Sequence, residues 1–160
     1  MNSPHRVDLP ADPDATERLG VWLGQQLRPG DVVGLVGELG AGKTTLVRGL
    51  ARGLGVDDPD AVHSPTYLLV VEHPGPVRLL HADAYLPQKL ASMLEDGGTE
   101  YLFDPQAVAV VEWAGNLGPA MPQRTLWVEL AVAPGGGRQV VLHRQRDEDY
   151  PFVAKMPKMG

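Results

Sequence analysis

A glycine-rich segment that ends in a lysine and a threonine carries the clearest chemistry in this sequence. It fits the pattern G-x-x-x-x-G-K-[ST] at every fixed position, with residues Gly37, Glu38, Leu39, Gly40, Ala41, Gly42, Lys43 and Thr44. Glycines allow backbone angles that point successive N–H groups at phosphate oxygens. Lys43 would reach the β- and γ-phosphates of ATP, and the Thr44 hydroxyl would bind Mg²⁺. The segment predicts a binding site for ATP and Mg²⁺.

Two acidic residues are candidates for binding metal or orienting water beside those phosphates. Glu112 follows the apolar run 108–111, so it is expected at the carboxyl end of a buried strand, the edge where such sheets bind ligands. There it would hold Mg²⁺ or orient the attacking water, unless it is an ordinary solvated glutamate. Asp83 lies two residues after His81, so the two share a face if the strand continues. Asp83 either helps to hold metal or water, or forms a turn before Tyr85.

Two further features of the sequence each allow two interpretations. The segment 63–66, His-Ser-Pro-Thr, is either a loop that senses the γ-phosphate or a plain turn before a strand. Trp113 either stacks on a base or a partner, or packs against the buried strand that it follows.

The elements that must position these residues follow from hydrophobic periodicity and from glycine and proline punctuation. Asp12 and Pro13 open a helix that Arg28-Pro29-Gly30 ends, and Gly55 ends a second helix that starts at Lys43. Strands are predicted at 32–36, 67–72, 77–80, 108–111, 125–132 and 139–143. The fold class is therefore α/β, a P-loop NTPase-like three-layer fold with a mixed, largely parallel central sheet and a C-terminal hairpin.

Length and composition narrow the functional classes. The 160 residues suit one domain, predicted over residues 1–146 and followed by a flexible tail, 147–160. The formal net charge of −6 argues against direct wrapping of nucleic acid, and the absence of cysteine excludes thiolate chemistry. No apolar run is long enough for a bilayer and no signal peptide is evident, so a cytoplasmic protein is expected.

Four motifs together carry a resemblance to a known family. Gly-Glu-Leu-Gly-Ala-Gly-Lys-Thr-Thr is followed in order by His-Ser-Pro-Thr-Tyr, His-Ala-Asp-Ala-Tyr and Val-Glu-Trp. In this order and spacing they resemble the TsaE family, also called YjeE, over roughly residues 16–143. The three later motifs are the specific part, because unrelated ATPases share the first one.

The resemblance implies a bacterial cytoplasmic ATPase required for N6-threonylcarbamoyladenosine at position 37 of tRNAs that read codons beginning with adenine. Such a protein does not transfer the group itself but acts with TsaB-like and TsaD-like proteins, so it meets tRNA only indirectly. By the family pattern, Lys43, Thr44 and Thr45 contact phosphate or metal, and residues 64–66 form a switch-like segment. Glu112 and Asp83 serve magnesium or hydrolysis.

The sequence departs from the family pattern after Tyr85 and matches it poorly between Gln88 and Gly98, and other functional classes remain. Leu86-Pro87 follow Tyr85 where the family commonly has Arg-Leu, so the role of that arginine is absent or displaced. A small-molecule P-loop kinase is the alternative function, although no arginine for a closing lid occurs between Arg78 and Arg124. A GTPase would need a guanine-reading Asn-Lys-x-Asp run, which is missing. A nucleotide-gated interaction module with almost no turnover stays open.

Overall fold

A computed structural model describes residues 4–38, 40–65 and 69–157. Its strands are β1 (His5–Leu9), β2 (Val32–Gly37), β3 (Val70–His73), β4 (Arg78–Asp83), β5 (Ala107–Glu112), β6 (Leu126–Val132) and β7 (Arg138–His143). Its α-helices are α1 (Pro13–Gln26), α2 (Lys43–Leu54), α3 (Pro87–Met93) and α4 (Thr99–Leu102). Shorter 3₁₀ segments span Pro59–Ala61, Ala114–Ala120 and Pro151–Lys155, and a π turn spans Leu94–Gly98. None of the described helices is long and apolar enough to cross a membrane.

The strands form one mixed sheet in the order β1-β7-β6-β2-β5-β4-β3. The four central strands, β6, β2, β5 and β4, are parallel, and the outer strands pair antiparallel. Alternate residues of β5 face opposite cores: Val108 and Val110 pack with α1 and α2, whereas Ala109 and Val111 pack with α3 and α4. The predicted three-layer α/β class with a largely parallel sheet and a C-terminal hairpin is confirmed.

Most predicted elements are present, and their ends have the expected chemistry. The Asp12 carboxylate accepts a hydrogen bond from the Asp14 N–H at 3.0 Å and so caps α1. Gly55 ends α2 in the left-handed conformation, with φ of +80°. Strand β1 was not predicted, and it lies at the sheet edge against β7. The strand predicted at 67–72 is observed as β3 from Val70, while residues 67 and 68 lie outside the described residues.

Asp149, Tyr150 and Val153, which lie in the segment expected to be a loose tail, are buried against the domain. Tyr150 is 1% exposed, and its hydroxyl accepts a hydrogen bond from the Val32 N–H at 3.0 Å. The same hydroxyl lies 3.1 Å from the Val32 carbonyl oxygen and 3.0 Å from that of Arg124. Burial raises the pKa of Tyr150 to about 12. The prediction of disorder rested on the composition of the segment. Composition does not reveal that the Tyr150 side chain reaches the start of β2.

Helices α1 and α2 touch backbone to backbone through two pairs of glycines. A Cβ at Gly20 would lie 2.3 Å from the Leu46 carbonyl oxygen, and one at Gly49 would lie 2.1 Å from that of Glu17. Gly24 and Gly53 are equally close to the opposite helix. Such distances leave no room for any side chain, so these glycines fix how closely α2 approaches α1.

Replacement of Gly49 by alanine tests this contact. The added methyl group meets main-chain atoms that cannot move aside, so we expect a loss of about 3 kcal/mol of unfolding free energy. Chemical denaturation of Gly49→Ala and Gly115→Ala measures it. Gly115 is the matched control because the nearest atom to its Cβ position is 4.0 Å away. Equal stability of the two variants would contradict the proposed close packing.

Candidate functional site

The glycine loop, residues 37–44, joins the carboxyl end of β2 to the first turn of α2. Gly40 and Gly42 have φ of +82° and +107°, values that side chains with a Cβ rarely adopt. A Cβ on Gly37 would lie 2.6 Å from the Leu130 carbonyl oxygen, so the close approach of β6 leaves room only for glycine at position 37. Leu39, predicted as part of the site, lies outside the described residues. The loop therefore leads into the N-terminus of α2, where unpaired N–H groups favour an anion.

Lys43 is the first residue of α2 and turns its ammonium group back onto the loop. Its Nζ donates hydrogen bonds to the carbonyl oxygens of Gly37 at 2.6 Å and Glu38 at 2.9 Å. The same atom lies 4.0 Å from the centre of the Trp113 ring, a cation–π contact. Burial lowers the pKa of Lys43, while the negative charges of Glu112 and Asp83 oppose that shift. The loop thus holds a cation at its centre.

Glu112 ends β5 and meets the first turn of α2. It is 2% exposed, and its carboxylate oxygens lie 3.3 and 3.4 Å from the Thr44 hydroxyl, which donates to them. Glu112 is therefore not the solvated glutamate that the sequence left open. The structure brings Thr44 and Glu112, the two predicted metal ligands, into direct contact.

His81 supports Glu112 from the neighbouring strand. It is fully buried, and its Nε2 lies 2.5 Å from Glu112 Oε2. Its Nδ1 has no hydrogen-bond partner among the described residues. Because the strands fix both backbones, the Glu112 carboxylate is held by His81 and Thr44, which both contact its Oε2 atom.

Asp83 is paired with Glu112 in the β4–β5 register and connects the site to two loops. Its Oδ1 accepts a hydrogen bond from the Tyr85 N–H at 2.7 Å, which is the turn geometry that the sequence allowed. Its Oδ2 accepts one from the Ser64 hydroxyl at 3.0 Å. This bond brings Ser64 of the predicted switch-like segment to the site, while Thr66 lies outside the described residues.

Trp113 turns sharply out of β5 directly after Glu112. Its φ is +57°, a left-handed value that is uncommon for a residue other than glycine. The turn places its ring against Tyr85, with 5.2 Å between ring centres, and over the Lys43 ammonium. The left-handed backbone at this position directs the Trp113 ring to the side of the glycine loop.

A cavity of about 700 Å³ contains these groups and extends past them. On one side of the glycine loop it is lined by Ser64, Tyr85, Glu112 and Trp113; on the other by Ala11, Asp12, Pro13, Thr16, Gly136 and Arg138. Gly40, Gly42, Lys43, Thr44 and Thr45 line it in between. The sequence analysis missed the second side. Its residues come from the start of α1 and from the β6–β7 turn, which no local motif connects to the glycine loop.

The residues present are compatible with Mg²⁺ as part of a nucleotide complex. The described residues include no cluster of three or more His, Cys, Asp or Glu side chains that could hold a metal ion. Mg²⁺ commonly takes one or two protein oxygens and completes its shell with phosphate and water. The adjacent oxygens of Thr44 and Glu112 fit such a shared site, and they do not fit a metal bound by protein alone.

The comparisons with known proteins agree on one family. The family model described as "Threonylcarbamoyl adenosine biosynthesis protein TsaE" matches residues 10–140. The TsaE protein of Treponema pallidum is 35% identical over 127 residues, covering 79% of this chain and 92% of that protein. The Mycobacterium tuberculosis TsaE protein is 41% identical over 123 residues, covering 72% of each chain.

The fold comparison gives the same result. The crystal structure of Bacillus subtilis YdiB superposes with a TM-score of 0.76 at 28% identity, covering 97% of this chain and 94% of that one. The glycine loop, Asp83 and Glu112 all lie inside the matched region. Sequence, fold and site geometry together show that this chain belongs to the TsaE family.

Proposed function

We propose that this chain binds and hydrolyses Mg-ATP as a component of threonylcarbamoyladenosine biosynthesis on tRNA. The observation that carries the proposal is the contact of Thr44 with buried Glu112 beside the Lys43 ammonium. Family membership supports the pathway, because the printed names of the relatives are those of tRNA threonylcarbamoyladenosine biosynthesis proteins. The cytoplasmic location implied by the resemblance is part of the same proposal.

Each side chain of the site has a distinct task in this proposal. Lys43 neutralises the terminal phosphates, which replace the loop carbonyls as its partners. Thr44 and Glu112 hold Mg²⁺, directly or through water, and Mg²⁺ when bound neutralises charge that develops on the phosphates. Asp83 orients water or metal and keeps Ser64 next to the site. The backbone N–H groups of residues 40–45 bind phosphate oxygens at the start of α2.

His81 is a positioning residue in this scheme. Its Nε2 is 2.5 Å from Glu112 Oε2, the oxygen that also lies 3.4 Å from the Thr44 hydroxyl. A buried carboxylate without such a partner would rotate to find another one, because an unpaired buried charge is costly. His81 therefore keeps Glu112 aimed at Thr44.

We further propose that TsaB-like and TsaD-like proteins complete the site and that tRNA is contacted only through them. Tyr85 lines the cavity and is 52% exposed. Enzymes that act on phosphates without a partner protein usually close a loop or domain over them to exclude water. A docked partner can provide that closure instead. The net charge of −6 agrees with a chain that leaves the contact with tRNA phosphates to others.

The first prediction from the proposed function is that Lys43→Ala abolishes most of the stabilisation by Mg-ATP. A ligand at a hundredfold excess over its Kd stabilises the folded state by about 2.7 kcal/mol, and most of this depends on phosphate contacts. Thermal melting with and without Mg-ATP measures the gain. Lys89→Ala is the control, because Lys89 is exposed on α3. The nucleotide site would be refuted if all three proteins gained the same stability from Mg-ATP.

The second prediction is that Glu112→Gln binds Mg-ATP nearly as well as the wild type but hydrolyses it about 100-fold more slowly. The amide keeps the shape of the side chain and loses the charge that holds Mg²⁺ or orients water. Calorimetric affinity and phosphate release in the presence of the partner proteins measure the two effects. Glu100→Gln, an exposed glutamate on α4, is the control.

Two variants of His81 complete that experiment. His81→Gln keeps an N–H donor near Glu112 and should retain turnover within a few-fold, whereas His81→Leu removes the donor and should lower kcat with little change in KM. Equal kcat in the two His81 variants would refute the positioning role of His81. Full activity of Glu112→Gln would remove Glu112 from the proposed mechanism.

The third prediction concerns partners and tRNA. The purified chain should hydrolyse ATP slowly and accelerate when TsaB-like and TsaD-like proteins from the same organism are added. Cells depleted of this chain should lose threonylcarbamoyladenosine from tRNA, measured by mass spectrometry of tRNA nucleosides. Rapid turnover by the chain alone with phosphorylation of a metabolite, together with unaltered tRNA, would favour a small-molecule kinase.

A further inference from the structure

Three buried side-chain nitrogen atoms have no hydrogen-bond partner in the described part of the chain, and two of them belong to neighbouring histidines. These two are Nε2 of His73 and Nδ1 of His81. The third is Nε of Arg144, which follows β7 and is separated from β4 by three strands of the sheet. A buried polar atom without a partner costs free energy, so two such atoms on neighbouring rings indicate a partner that they share.

The sheet places the two histidine rings side by side. His81 of β4 is paired with Val71 of β3, and His73 lies two residues further along β3, so both side chains point to the same face. The ring centres are 6.3 Å apart, and the rings are tilted by 35°. His81 is fully buried and His73 is 6% exposed. The two rings are thus neighbours inside the protein, without a direct hydrogen bond between them.

His81 has one of its two ring nitrogens bound to the proposed site. Its Nε2 lies 2.5 Å from Glu112 Oε2, and a carboxylate oxygen accepts, so Nε2 carries the proton of this bond. Nδ1 is therefore the nitrogen through which His81 can contact a further group. The hydrogen bond at one ring nitrogen fixes the orientation of a histidine for the task of the other. A partner at Nδ1 would fix the ring that holds Glu112.

His73 can act on His81 through an intermediate that both donates and accepts hydrogen bonds. Burial lowers the pKa of His73, the charges of His81 and His63 lower it further, and Asp58 opposes them. A neutral imidazole has one donor and one acceptor nitrogen. Water can donate to one ring and accept from the other, so it suits whichever nitrogen carries the proton. Buried waters commonly bind polar groups that otherwise lack a partner.

We propose that a single buried water bridges His73 Nε2 and His81 Nδ1, and that His73 is thereby a positioning residue for Glu112. The hydrogen-bonded chain runs from His73 through the water and His81 to the Glu112 carboxylate, which the Thr44 hydroxyl also contacts. The role of His73 in turnover rests on the proposed function, whereas the water bridge does not. Because β3 is the edge strand, the chain connects the orientation of Glu112 to the edge of the sheet.

A crystal structure of the wild-type chain at high resolution tests the water bridge directly. We expect one ordered water at about 3 Å from each of the two nitrogens. A direct hydrogen bond between the rings, or well-defined rings with no density between them, would overturn the bridge. This result does not depend on ATP hydrolysis, so it is separate from the test of the proposed function.

Steady-state kinetics with the partner proteins test the positioning role. His73→Phe keeps a planar ring and removes the nitrogen that binds the water, so kcat should fall about tenfold with little change in KM. His73→Gln keeps a polar group within reach of the water and should stay within a few-fold of the wild-type kcat. His5→Phe, the same change on the edge strand β1, is the matched control and should have the wild-type kcat.

A double-mutant cycle shows whether His73 acts through His81. If it does, adding His73→Phe to His81→Leu should not lower kcat further, because the connection to Glu112 is already lost. Additive losses, wild-type kcat in His73→Phe, or a His73→Gln variant as slow as His73→Phe would overturn the positioning role. A wild-type chain without turnover in the presence of its partners would instead refute the proposed function, and the crystal structure would still decide on the water bridge.

Discussion

The parallel pairing of β2 with β5 and β6 is the constraint on which the rest of the site depends. Leu35 is paired with Glu112, and Gly37 with Leu130, so the strands reach the same edge of the sheet in register. That edge receives the glycine loop from β2 and the carboxylate from β5. The outer β6–β7 hairpin then brings Arg138 to the opposite flank of the same loop. A shift of one residue in the β2–β5 pairing would point Glu112 to the other face.

The site stores unfavourable electrostatics that a ligand can relieve. Lys43 is 6% exposed, its ammonium group is bound by loop carbonyls, and burial lowers its pKa. Glu112 is buried close by with Thr44 and His81 as its hydrogen-bond partners. Buried charges are costly unless they are well paired, so an anion for the lysine and a cation for the glutamate would each lower the free energy. This complementarity is the physical basis for proposing a magnesium–phosphate ligand.

The close packing of α1 on α2 connects the two halves of the cavity. The glycines at the crossing allow main-chain contact, which fixes the position of α2 and hence of the glycine loop. The same contact fixes α1, whose N-terminal residues line the same cavity as the glycine loop. A single helix pair therefore sets the distance between the glycine loop and the cavity wall formed by the start of α1. The strained Trp113 backbone and the Tyr85 contact complete the opposite wall.

The sequence by itself determined the features that depend on short segments of chain. The glycine loop, the helix after it and the position of Glu112 at a strand end follow from local periodicity and backbone preferences. The tertiary structure decided which distant residues meet there: His81 behind Glu112, Arg138 beside the loop, β1 on β7 and Tyr150 under β2. Such contacts depend on strand order and register, which leave almost no trace in any one segment. From the sequence alone, Arg138 after a glycine turn and Tyr150 in a proline-broken segment would both be assigned to the surface. Only the order and register of the strands show that they contact the loop and β2.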